Sequence, residues 1–260
     1  MAGNLNDRTI VITRGQDQAA NLAARVRELG GEVVLFPTVK ISAVEDRRAC
    51  VTAARDISQY NWVVFSSGNA VRYFHELTST RATNELTCKI AAVGEQTARE
   101  LEHKGIPVNL TPDTFRASAL VRSFESLDLH GKKVLFPASN LARDEIPDGL
   151  RSLGAIVDRV EVYRTDPNWD VDGNTMRHMI ARNQVDCLTF CSPSAIRFFL
   201  KIAGDSVVED INNGDLVVGA IGPTTHRAVE MAGVNNIIMP KLSLENELIA
   251  VIVEYFDNLR

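Results

Sequence analysis

Short apolar runs rich in β-branched residues alternate along the chain with longer stretches in which apolar positions recur every three or four residues. Continuous apolar runs of strand length predict strands that are buried on both faces, as in a parallel sheet. In the stretch 17–31, Leu22, Val26 and Leu29 fall on one helical face, and Gly30 and Gly31 supply a stop signal. The alternation therefore predicts an α/β protein. The strand-like runs cover residues 9–13, 33–37, 62–67, 89–94, 132–137, 155–163, 187–192 and 216–222.

Three blocks of sequence recur in the same order in the two halves of the chain, at offsets of 124, 125 and 128 residues. This internal repeat predicts two structurally similar halves, and hence two domains. The paired blocks are RELGGEV (27–33) with RSLGAIV (151–157), VVFSSGNAVRYF (63–74) with LTFCSPSAIRFF (188–199), and AVGEQTARELEHKG (92–105) with AIGPTTHRAVEMAG (220–233).

The segments 33–44 and 157–167 follow the corresponding LGG and LGA turns, and each runs on as an extended apolar stretch beyond ordinary strand length. We expect both to cross between the domains side by side, as a two-stranded β linker that acts as a hinge. The predicted parts are domain 1 at 1–37 plus 168–260, domain 2 at 45–158, and linker strands at 38–44 and 159–167.

Composition narrows the classes of function. The chain has 260 residues, 45% of them hydrophobic, and a net charge of −5, which does not favour a nucleic-acid surface. The four cysteines lack zinc-ligand spacing, and the two in CLTFC (187–191) would lie about 13 Å apart on a strand, too far for a disulfide. The sequence therefore predicts reduced, buried cysteines in a cytoplasmic protein. The polar start MAGNLNDR and the shortness of every apolar run predict neither a signal peptide nor a membrane span.

The strand-like runs end in similar chemistry, since Ser, Thr, Asn and Gly dominate the residues that follow them. Such residues cap helices, and uncapped helix starts also bind anions through free N–H groups. Ligands of open parallel sheets bind beyond the carboxyl ends of the strands, so both interpretations stand: caps alone, or a cleft lined by anion-binding helix starts. Nucleotide motifs (GxxxxGK[ST], GxGxxG) and the GxSxG elbow are absent from the sequence. The segments at the ends of the strand-like runs are FSSGN (65–69), VGEQT (93–97), LTPDTFRAS (110–118), FPASN (136–140), FCSPSA (190–195), IGPTT (221–225) and MPKLS (239–243).

Five of these segments together resemble the uroporphyrinogen-III synthase (HemD) family, and the resemblance extends over nearly the whole chain. They are AVGEQTA (92–98), LFPASNLARDEIPDGL (135–150), VEVYRT (160–165), FCSPSAIR (190–197) and AIGPTTHRA (220–228). The resemblance implies two similar parallel-sheet α/β domains, flavodoxin-like and HemD-like, joined by a two-stranded β linker.

The same resemblance implies a lyase of haem biosynthesis. Such an enzyme cyclises the octacarboxylate hydroxymethylbilane to uroporphyrinogen III, with loss of water and inversion of ring D. It implies no metal and no organic cofactor. Charge and segment composition predict a cytoplasmic protein without nucleic-acid or membrane partners. We further expect a monomer, and a transient contact with hydroxymethylbilane synthase would suit so unstable a substrate. The alternative is a cytosolic, two-lobed polycarboxylate-binding module without catalysis, which the isomer formed from the bilane distinguishes.

The resemblance also assigns candidate residues. Tyr163 matches the family's linker tyrosine, the candidate general acid at the leaving hydroxyl; the other interpretation is an aromatic side chain packed at the hinge with its hydroxyl satisfied. Candidate carboxylate-binding residues come from the matched motifs and, for the first half, from the internal repeat: Ser66, Ser67, Asn69, Thr97, Ser139, Asn140, Ser192, Ser194, Gly222, Thr224 and Thr225. Arg14, Arg143, Arg197 and Arg227 are candidate cations, or else solvated surface charges.

Glu95 departs from the family pattern, which often has a small or amide residue after VG. A carboxylate at that helix start either points outward and stabilises the helix dipole, or competes with a bound anion for the same N–H groups.

Overall fold

The computed structural model describes residues 4–78 and 87–259. The chain divides into two compact units: unit 1 takes in residues 1–40 and 166–260, and unit 2 takes in residues 41–165. Each unit has its own sheet with helices on both faces.

The described chain contains ten strands and eleven helices, with a short 3-10 turn at Ile57–Gln59. The strands are β1 Thr9–Ile12, β2 Glu32–Leu35, β3 Val39–Ala43, β4 Trp62–Phe65, β5 Lys89–Ala92, β6 Lys133–Ser139, β7 Ile156–Pro167, β8 Cys187–Phe190, β9 Val217–Ala220 and β10 Ile237–Ile238. The helices are α1 Gln16–Glu28, α2 Arg48–Arg55, α3 Gly68–Thr78, α4 Glu95–His103, α5 Ala117–Phe124, α6 Glu145–Ser152, α7 Gly173–Ala181, α8 Pro193–Ala203, α9 Val207–Asn213, α10 Pro223–Met231 and α11 Glu245–Asp257.

Unit 1 has the strand order β10-β9-β8-β1-β2, and each neighbouring pair is parallel. Successive side chains of a strand point to opposite faces, and both faces here are covered. On β1, Val11 packs into the core formed with α7 to α10, whereas Ile10 and Ile12 pack towards α1 and α11. This two-sided burial explains why the strands read as continuous apolar runs.

Unit 2 has the order β3-β7-β6-β4-β5, in which β4, β5, β6 and β7 pair in parallel. On β4, Val63 and Phe65 face the core with α2 to α4, and Trp62 and Val64 face the core with α5 and α6. The order β9-β8-β1-β2 in unit 1 corresponds to β5-β4-β6-β7 in unit 2, so the units share one topology. Two similar parallel-sheet α/β units confirm the predicted fold class.

One expectation about the connection between the units is wrong. Residues 33–44 do not run as a single extended stretch, because they form β2 in the sheet of unit 1 and then β3, which neighbours β7 in the other sheet. Pro37 lies in the break, where its missing N–H cannot contribute to a ladder. The segment 157–167, by contrast, is continuous within β7, and the chain passes between the units inside β3 and again inside β7.

Candidate active site

The candidate residues of unit 1 follow three adjacent parallel strands, β1, β8 and β9, and therefore lie at the same edge of the sheet. They are Arg14 after β1, Ser192 and Ser194 after β8, and Gly222, Thr224 and Thr225 after β9. Thr13 and Thr189 are fully buried beneath this edge, and their hydroxyls donate to the carbonyls of Thr189 and Val11 at 2.7 and 2.9 Å. These buried bonds tie β1 to β8 just below the candidate residues.

The two helix starts of this edge differ. Ser192 caps α8, since its hydroxyl accepts the N–H of Ala195 at 3.2 Å and also contacts the Ser194 hydroxyl at 3.0 Å. Gly222 caps α10 without any side-chain hydrogen bond, and Pro223 occupies the first helical position. The first-turn N–H groups of α10 have no intrahelical partner, which leaves them suited to an anion. Thr225 is buried in that turn, whereas Thr224 is exposed.

The candidate cations of unit 1 occupy different environments. Arg14 forms an ion pair with Glu245 in the first turn of α11, and both side chains are about three-quarters buried, at 27% exposure. Arg197 and Arg227 are exposed on α8 and α10. Beside Arg14, burial raises the pKa of the Cys191 thiol to about 11. Arg14 is thus already partnered by a carboxylate of the protein itself.

In unit 2 the candidate residues follow β4, β5 and β6, and Tyr163 lies on β7 in register with Ser139, next to a shift in the β6 ladder. Tyr163 is 8% exposed. Its hydroxyl lies 3.1 Å from the hydroxyl of Ser67, which also accepts the N–H of Ala70 and so caps α3. Its ring stacks on Tyr73, with centroids 5.6 Å apart and planes 12° apart. The tyrosine is therefore packed, and its hydroxyl has a partner.

The other helix starts of unit 2 include polar side chains bonded within the protein and one helix start without a side-chain cap. Asn69 accepts a hydrogen bond from Arg72 at 2.7 Å, and Ser66 is half-buried beside it. Thr97 is buried in the first turn of α4, which has no side-chain cap. Glu95 is 59% exposed and pairs with Arg99 one turn further on, as expected of an outward-pointing carboxylate.

The end of β6 is occupied by backbone contacts. The Ser139 hydroxyl accepts the N–H of Leu141 at 3.2 Å. The Asn140 amide accepts the N–H of Thr165 at 2.8 Å and donates to its carbonyl at 3.3 Å, which secures the end of β7. Arg143 is exposed in the turn that follows. In this structure Asn140 therefore acts on the protein backbone.

Four residues at these edges were not named as candidates from the sequence: Tyr73, Phe115, Ser243 and Glu245. Phe115 and Ser243 do lie in the strand-end segments 110–118 and 239–243. The repeat offset of 128 offers a signal for two of them, because it aligns Phe115 with Ser243 and Gly94 with Gly222. A Cβ built on Gly94 would lie 3.7 Å from the Cβ of Phe115, and one on Gly222 would lie 3.2 Å from that of Ser243. Each unit thus places a loop residue against its uncapped helix start.

Across residues 4–78 and 87–259, no group of three or more His, Cys, Asp or Glu side chains is arranged to hold a metal ion. In the same part of the chain, no helix has the length and apolar character needed to cross a membrane.

Helix starts that present hydroxyl and N–H donors at the carboxyl edges of parallel sheets are typical of α/β proteins that bind anionic ligands. The chain belongs to the uroporphyrinogen-III synthase HemD family, whose model matches residues 20–250.

Relatives support this assignment along most of the chain. Uroporphyrinogen-III synthase of Chlorobaculum parvum is 27% identical over 238 residues, which cover 90% of this chain and 93% of the relative. A putative uroporphyrinogen-III synthase of Methanothermobacter thermautotrophicus is 28% identical over 250 residues, covering 94% and 97%. The crystal structure of a uroporphyrinogen III synthase variant from Thermus thermophilus matches with a TM-score of 0.71 at 18% identity, covering 96% of this chain and 99% of the other. That structural likeness supports the fold.

Proposed function

We propose that this protein is a uroporphyrinogen-III synthase, a lyase of tetrapyrrole biosynthesis that closes hydroxymethylbilane with loss of water and inversion of ring D. The observation that carries the proposal is membership of the HemD family over residues 20–250. The candidate residues at the carboxyl edges of both sheets are compatible with a ligand that bears eight carboxylates.

The proposed role of the helix starts is to bind these carboxylates. The starts of α4 and α10 have no side-chain cap, so their first N–H groups can meet an anion with the help of the helix dipole. This mode of binding requires no large excess of basic residues, which fits a chain of net charge −5. Because many such contacts share the substrate, we expect single losses at Thr97, Thr224 or Ser192 to reduce binding in small steps.

Tyr163 is proposed as the general acid. The hydroxyl of the bilane takes up a proton and departs as water, which leaves an azafulvene cation. The substituted carbon of ring D attacks this cation, and a spiro intermediate then fragments and recloses with ring D inverted. The ring carbon attacked on reclosure loses a proton, which restores the neutral pyrrole and balances the proton taken up when water departs. Because the bilane closes by itself to the non-inverted isomer, the enzyme's main task is to control conformation, and the proton donor assists departure of water.

The direct test is to add hydroxymethylbilane to the purified protein and to separate the uroporphyrinogen isomers by chromatography. The proposal requires isomer III, with isomer I alone from buffer and from heat-inactivated protein. If the native protein gives only isomer I yet binds the product, the non-catalytic polycarboxylate-binding module is the correct interpretation.

The finer features are proposals that accompany this function. The enzyme acts as a cytoplasmic monomer and receives the unstable bilane through a transient contact with hydroxymethylbilane synthase. Residues 38–44 and 159–167 act as a hinge between domain 1 (1–37 plus 168–260) and domain 2 (45–158). Sedimentation at micromolar concentration tests the monomer, and cross-linking to the synthase during turnover tests the contact.

A further inference from the structure

We propose that Tyr73 and Ser67 are positioning residues for Tyr163: Tyr73 fixes the tilt of its ring, and Ser67 donates a hydrogen bond to its oxygen so that the phenol proton stays available for transfer. This inference rests on the proposed function. It originates in a difference between two repeat-related helix starts.

The serines that cap α3 and α8 are equivalent in the internal repeat but differ in their second contact. Ser67 and Ser192 each accept an N–H in the first turn at 3.2 Å, from Ala70 and Ala195 respectively. The hydroxyl of Ser192 then meets its neighbour Ser194 at 3.0 Å. In unit 2 the repeat puts Asn69 at the position of Ser194. The Asn69 side chain accepts from Arg72, and the hydroxyl of Ser67 reaches Tyr163 at 3.1 Å instead. The repeat thus links a helix cap to a phenol in one unit.

The single hydroxyl proton of Ser67 limits which of the two hydroxyls donates in its contact with Tyr163. A serine hydroxyl has one proton and two acceptor positions, and the Ala70 N–H occupies one acceptor position. Either Tyr163 donates into the other, or Ser67 donates to the Tyr163 oxygen. Only the second arrangement leaves the phenol proton free to move to a leaving hydroxyl. After that transfer, the same Ser67 proton makes a charge-assisted bond to the phenolate, which stabilises the deprotonated state.

Tyr73 restrains the ring from the other side. The two rings are nearly parallel, and stacked aromatic pairs hold a defined relative orientation. Tyr73 is itself anchored, because its hydroxyl donates to the Ile41 carbonyl at 3.4 Å, and the Arg72 guanidinium lies 5.4 Å from its ring centroid. In unit 1 the repeat puts Phe198 at the position of Tyr73 and Val39 at that of Tyr163. Unit 1 therefore has no tyrosine pair at the equivalent positions, and the stacked pair is a feature of unit 2.

The test is a double-mutant cycle measured on initial rates of isomer III formation. We expect Tyr163→Phe to lower kcat by about a hundredfold, as for loss of a general acid, and Tyr73→Leu to lower it by about tenfold. KM should change by less than about twofold in both, since neither change removes a carboxylate contact. Tyr73→Phe keeps the stacked ring and should recover most of the kcat. Added to Tyr163→Phe, the Tyr73→Leu change should have almost no further effect, because the phenol that it positions is gone.

Phe198→Leu supplies the matched control, since it removes an aromatic ring at the equivalent place in unit 1 and should leave kcat unchanged. If Tyr73→Leu does not fold, Ser67→Ala in the wild-type and Tyr163→Phe backgrounds completes the same cycle. The proposal is overturned if the effects of Tyr73 and Tyr163 multiply independently, or if Tyr163→Phe retains full kcat while the wild type makes isomer III. If the wild type produces isomer I alone, the proposed function itself is refuted. That outcome is distinguishable from failure of the positioning proposal, which requires a wild type that makes isomer III.

Discussion

Replacement of Gly222 by alanine tests how tightly the uncapped start of α10 is packed. A Cβ at this position would overlap the hydroxyl oxygen of Ser243 and would lie 3.2 Å from its Cβ. The backbone at Gly222 is extended, with φ of −174°, so alanine adopts it without strain. The effect of the substitution must therefore come from packing against Ser243.

The size of the effect follows from these two contacts. Turning the Ser243 hydroxyl away costs about 0.5–1.5 kcal/mol if it leaves a favoured rotamer. The Cβ contact at 3.2 Å requires a further shift of a few tenths of an ångström. We therefore expect Gly222→Ala to lower the free energy of unfolding by about 1–2 kcal/mol relative to Gly94→Ala. Gly94 is the matched control, because the nearest atom to its added Cβ is that of Phe115 at an ordinary 3.7 Å.

Urea unfolding of the two variants provides the measurement, and the comparison cancels the entropy that any Gly→Ala change removes from the unfolded chain. The double variant Gly222→Ala with Ser243→Gly removes both close atoms and should recover most of the loss. If Gly222→Ala is as stable as Gly94→Ala, the close contact between the loop and the helix start is refuted.

Three further predictions concern single side chains. Asn140→Ala should lower the free energy of unfolding by about 1–2 kcal/mol, because the N–H and carbonyl of Thr165 lose their partners; Asn140→Asp, which keeps the acceptor, should lose less in the same urea titration. Glu95→Ala should leave product affinity in calorimetry unchanged, because this exposed carboxylate is paired along its own helix; tighter binding would instead show competition with the ligand. Burial raises the pKa of Cys187 to about 12 and that of Cys191 to about 11. Thiols of the unfolded chain ionise from about pH 8.5, so the contribution of these two cysteines to stability is complete below that pH. It is lost as the pH rises towards 11–12. Unfolding free energy should therefore fall between about pH 9 and 11, and less so when both cysteines are replaced by alanine; equal slopes would contradict the assignment.

The sequence predicted the sheet edges well because strand periodicity is a local property. Continuous apolar runs predicted strands buried on both faces of the sheet, and parallel strands necessarily bring their carboxyl ends to one edge. The residues after those strands, such as Ser192 and Thr225, could therefore be grouped without coordinates. The internal repeat added the equivalence of the two units, which the shared strand order confirms.

What the sequence did not predict depends on contacts between distant segments. The stacking of Tyr73 on Tyr163 joins residues ninety positions apart, and the ion pair of Arg14 with Glu245 joins the two ends of unit 1. No spacing rule encodes such partners. The break at Pro37 was a local signal, but apolar character on both sides of it masked the change of sheet.

The unequal second contacts of the two capping serines make the repeat-related helix starts chemically different. A duplicated fold tends to offer the same groups twice. Here the Ser67 hydroxyl contacts the phenol of Tyr163, whereas the Ser192 hydroxyl contacts a second serine, so the two repeat-related positions are not equivalent. One unit therefore holds a phenol where the other holds a second serine hydroxyl, although the two units share one strand order.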